Sequence, residues 1–112
     1  MFDGEIPRAL RGLLLEGPPS AKTQKKFDIV FQLMQRVRLA LIDYKKTIGV
    51  DVHLTAFAQI LWAGTHEDIV ILVEMKGPTG LKKRTGVMLA TNLHDFEHNM
   101  LSLCAEMMEQ MK

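Results

Sequence analysis

The stretch VDVHLTAFAQILW, Val50 to Trp62, decides the fold, because it fits both a strand and a helix. Read as a strand, one parity is wholly apolar: Val50, Val52, Leu54, Ala56, Ala58, Ile60 and Trp62. The other parity carries Asp51, His53, Thr55 and Gln59. Read as a helix, Leu54, Phe57, Ala58, Leu61 and Trp62 also align. Period-two alternation accounts for more positions, and the preceding Gly49 interrupts any helix arriving from upstream, so the stretch is assigned to a strand.

Working outward, DIVILVEMK from Asp68 to Lys76 is rich in β-branched residues and reads as a largely buried strand. The glycine-rich GPTGLKKRTG then leads into a third strand, Arg84 to Thr91. Short connections among the three favour an antiparallel meander. Upstream, Phe27, Val30, Phe31, Met34, Val37, Leu41, Tyr44 and Ile48 recur at steps of three and four, which predicts a helix from Ala21 to Ile48 with Gly49 at its C′ position. Such a helix is about 40 Å long, so part of it is expected to project or to pair with a second copy.

Downstream, Leu93, Phe96, Met100, Leu103, Cys104, Met107 and Met111 mark the apolar stripe of a helix from Leu93 to Gln110, with Thr91 or Asn92 as N-cap. Residues 1–20 read as a detachable helical arm: a helix from Ile6 to Leu15, with Pro7 in its first turn, is stopped by Gly17-Pro18-Pro19. The expected fold is α+β, in one domain spanning residues 1–112. It is a two-layer sandwich of a three-stranded antiparallel meander covered by the long helix and the C-terminal helix, in the order α-α-β-β-β-α. Two exposed sheet edges and an overlong helix point to a homodimer or a docking partner.

At 47% hydrophobic residues, the 112-residue chain is too apolar to remain disordered. Its formal charge of +1 supplies no whole-molecule field toward nucleic acid or an acidic membrane. A single cysteine, Cys104, and a start that lacks a basic region followed by a long apolar run point to a soluble cytoplasmic protein.

The chemistry-bearing motifs fail one by one. GPTGLKKRTG lacks the lysine followed by serine or threonine, and the helix after it, that a phosphate-cradling loop requires. What remains is a basic hairpin arm carrying Lys82, Lys83 and Arg84. The long helix adds Lys22, Lys25, Lys26, Arg36, Lys45 and Lys46, spread around its circumference. Arg38 falls within the apolar arc, with Lys45 on the same side one heptad later; it lays its stem on apolar surface, pairs with an acid such as Glu74 or holds an anionic ligand. HDFEH places His94 and His98 at i and i+4 but has no glutamate where a zinc protease needs one, and Cys104 lies on the opposite, apolar side.

No catalytic residue, cofactor or metal site is assigned. The expected function is that of a non-catalytic protein-interaction or adaptor module, homodimeric through a sheet edge or its helical faces. Lys82, Lys83, Arg84, Lys25, Lys26, Arg38, Met108 and Met111 are its contact candidates. The alternative is nucleic-acid binding through the basic arm and the basic helix. A third reading is a ligand pocket between sheet and helices around Arg38, His53 and Trp62.

Overall fold

The computed structural model describes residues 14, 15 and 17–112. Helix α1 runs from Ala21 to Ile48, strands β1, β2 and β3 cover His53–Ala63, His66–Lys76 and Lys83–Leu89, and helix α2 spans Leu93–Glu109. The ambiguous stretch is a strand, and the three strands form one open antiparallel sheet in the order β1-β2-β3. Both helices pack on it, so the fold is α+β.

Local chemistry accounts for each boundary. The Ser20 side chain accepts the Thr23 N–H at 3.2 Å and caps α1, whose last turn carries Lys45 and Lys46 beside the negative end of the helix dipole. Gly49 then takes a left-handed conformation at φ 70°, and the Val50 N–H returns to the Lys45 carbonyl at 3.0 Å. Helix α2 starts at Asn92, which accepts the His94 N–H at 3.0 Å. β1 and β2 pair from His53↔Lys76 to Ala63↔His66 across a two-residue turn in which Gly64 supplies a positive φ.

Ile69, Ile71, Val73 and Met75 of β2 meet Val30, Met34, Val37 and Leu41 of α1, with Phe96, Met100, Cys104 and Met107 of α2, in one core. Helix α1 lies against α2 and β2, and α2 against β2 and β3, so β1 is the strand with least helical cover. Gly86 of β3 lets α2 approach closely: a Cβ there would stand 2.8 Å from the Met107 sulfur.

Three expectations change. Leu14 and Leu15 are not the end of a helix: Leu14 forms a β-bridge with Leu61, and the Leu15 N–H donates to the Ile60 carbonyl at 3.0 Å. The rest of the predicted Ile6–Leu15 helix lies outside the described residues. Helix α1 does not project, because buried side chains run from Thr23 to Leu41 and the molecule is itself 42 Å long. Phe31, placed in the apolar stripe by spacing, is 54% exposed, since it sits on the flank that overhangs β1 beyond the α1–β2 contact.

Candidate functional site

β1 reads HLTAFAQILWA, eleven residues without a charge, a proline or a glycine. Exposed edge strands ordinarily carry charge, proline or a bulge that prevents pairing with another chain. Leu14 and Leu15 cover this edge only at Ile60 and Leu61; from His53 to Gln59 it has no strand partner on that side among the described residues. The opposite edge, β3, is shorter and opens with Lys83 and Arg84.

Because α1 sits over β2, a trough separates it from β1. Leu54, Ala56, Ala58 and Ile60 form a half-buried floor, while Phe31 and Ile42 stand exposed on the α1 wall. Two adjoining slots, of about 180 and 270 Å³, open there and share Arg38, Leu41, His53 and Leu54. Lys45 enters the smaller one and donates to the Val52 carbonyl at 3.2 Å. Arg38 has no hydrogen bond or ion pair among the described residues, and neither slot is lined by a carboxylate.

Glu74, a possible partner for Arg38 on sequence, belongs to the other face of the sheet, since its neighbours Val73 and Met75 point into the helical core. There its buried carboxylate takes Lys83 Nζ at 3.1 Å and Lys76 Nζ at 3.5 Å. Lys76 and Lys83 face each other across β2 and β3, and Glu74 relieves that like-charge pairing.

A wider cleft of about 860 Å³ lies at the other end of α1, lined by Lys22, Lys25, Lys26, Trp62 and His66 together with Glu67 and Asp68. Asp68 is 1% exposed. It accepts from Lys26 Nζ at 2.9 Å, the Ile69 N–H at 2.7 Å and the Thr91 hydroxyl at 2.8 Å. Burial alone would raise its carboxyl, yet these donors outweigh burial and hold it below the ordinary aspartate value. Glu67 accepts the Ser20 N–H at 3.2 Å, so acids of this chain already answer part of the positive charge in the cleft.

The contact candidates are thus distributed. Lys25 and Lys26 flank the cleft at the start of α1, and Lys26 is engaged by Asp68. Lys82, Lys83 and Arg84 lie at the opposite end, where Lys82 shares a hollow with Gly49 and Lys112 and reaches the Lys112 carbonyl at 3.4 Å. At 1.5 Å per residue, the length of α1 between Lys25 and Gly49 separates the two groups by about 35 Å. Of the arm's three cations, Arg84 alone has no partner among the described residues.

Met108 and Met111 are not at the surface: they are 1% and 8% exposed and belong to the core, because the last turn of α2 folds down beside Val50 and Val52. The Cys104 thiol is buried and pushed up to about 12 by desolvation, far from a reactive thiolate. His94 and His98 are exposed on α2, and among the described residues no three His, Cys, Asp or Glu side chains gather where they could hold a metal ion.

Of the three residues of the pocket reading, Arg38 and His53 line one slot and Trp62 lines the other cleft. Lys45 was legible as a neighbour of Arg38, one heptad on along the same side of the helix. The arrival of His53 beside them was not, since it depends on where α1 lies relative to β1. Among the described residues, no helix is long and apolar enough to cross a membrane. Compared with protein-family models, curated proteins and solved structures, the chain matches none.

Proposed function

We propose that the chain is a small, non-catalytic protein-interaction module of the cytoplasm that works as a homodimer, its copies joining along β1. The observation that carries this reading is the edge from His53 to Gln59, which has no strand partner among the described residues and offers its backbone groups on an uncharged strand. Antiparallel pairing centred on Ala56 sets His53 of each copy opposite Gln59 of the other and continues the sheet to six strands. Such a contact is isologous and closes on itself.

The two α1 helices then flank the joined β1 strands. Three strand spacings, about 14 Å, separate the β2 strands beneath them, and exposed Phe31 and Ile42 side chains fill the space between. A lone, buried cysteine suits a reducing compartment.

Light scattering on the purified chain tests the reading. A dimer is expected at micromolar concentration, and the double variant Phe31→Glu/Thr55→Lys is expected to be monomeric while keeping its fold by circular dichroism, since the first side chain is exposed and the second faces away from the helices. A wild-type chain that stays monomeric at several hundred micromolar, or a double variant that dimerises equally well, overturns it.

A further inference from the structure

We infer that the slot between α1 and β1 is a binding site for a small aliphatic carboxylate, a compound with one carboxyl group on a short apolar stem. All of its lining residues belong to one copy of the chain. Its polar end is Arg38 and Lys45, two groups able to donate to an anion, with His53 lining the slot where β1 begins and no carboxylate among the lining residues.

Elsewhere in the molecule, cations placed near acids are paired: Lys26 with Asp68, Arg36 with Glu97, Lys76 and Lys83 with Glu74. Arg38 alone combines an apolar surrounding with no partner among the described residues. A guanidinium fork matches one carboxylate in two parallel hydrogen bonds. Lys45 is already turned to the Val52 carbonyl, which leaves one free fork and suits a monoanion better than a multiply charged phosphate.

The remaining walls select the stem. Leu41, Leu54 and Met108 line the smaller slot, and the larger one continues along the apolar floor of β1. Together the slots have room for a short alkyl chain.

The test uses the full-length chain, labelled with nitrogen-15, titrated with sodium octanoate, with 1-octanol and with sodium acetate. Octanoate is expected to give saturable amide shifts centred on His53 and Leu54, and to bind about tenfold or more tightly than either control, because only it supplies both the charge and the stem. Arg38→Gln is expected to weaken octanoate about tenfold while leaving the rest of the spectrum in place, since the Arg38 side chain is exposed and unpaired.

Equal affinity for octanol, no loss in Arg38→Gln, or no saturable shift at millimolar octanoate overturns the site. Light scattering on the same samples separates the two proposals. A dimer that ignores octanoate removes only the carboxylate site, and a monomer that binds it removes only the dimer.

Discussion

Asp68 shows how one residue joins several elements. It stands at the start of β2, and its carboxylate collects Lys26 from α1, Thr91 from the link between β3 and α2, and its own neighbouring backbone N–H. Removing it leaves the Lys26 ammonium without its ion pair and the Ile69 N–H without its acceptor. Asp68→Ala is therefore expected to lower stability by about 2–4 kcal/mol at neutral pH, read by urea unfolding. The pH dependence follows from the lowered carboxyl. A group held below its unfolded value contributes fully above that unfolded value, about 3.9, and loses its contribution as pH falls through the folded value. The gap between wild type and Asp68→Ala should thus close as pH drops below about 4; a gap that stays constant down to pH 2 would show that the charge is not what stabilises the junction.

Among the elements, α1 and β1 explain one another. Helix α1 must stop at Ile48 for the strand template of the following residues to be realised, and Gly49 stops it by adopting a φ that a side chain disfavours. Open space surrounds the position at which a Cβ would stand, so Gly49→Ala isolates the backbone effect from any clash. Its expected cost is about 1 kcal/mol, seen as a lower urea midpoint with an unchanged slope. No loss would mean that the Val50 return bond, rather than the glycine, ends the helix. The apolar periodicity of α1 located the helix correctly but overstated its buried face: Phe31 and Met34 are close on the helical wheel, yet Met34 is in the core and Phe31 overhangs β1. Spacing states which residues share a side and is silent about how far the neighbouring sheet extends beneath them.

At the scale of the whole molecule, the distribution of charge decides between partners. The basic arm and the basic start of α1 sit at opposite ends, each partly neutralised by Asp68, Glu67 or Glu74, so no continuous cationic surface follows from the cations. Only two or three phosphates could be contacted at either end, and retention on heparin is expected to be lost by the time salt is raised to about 0.15 M. Retention that persists well beyond that, and falls when Lys82, Lys83 and Arg84 are changed to alanine, would restore the nucleic-acid reading. The helices, the three strands and their antiparallel order were legible in the sequence because periodicity, glycine and capping chemistry act over a few residues. So was the apolar setting of Arg38, a matter of helical spacing alone. What only the tertiary structure decided was that Met108 and Met111 are core, that Lys83 belongs to Glu74 and Lys26 to Asp68, and that β1 lies beyond the cover of α1 with His53 beside Arg38. Those outcomes depend on where each helix rests across the sheet, set by packing among residues far apart in the chain.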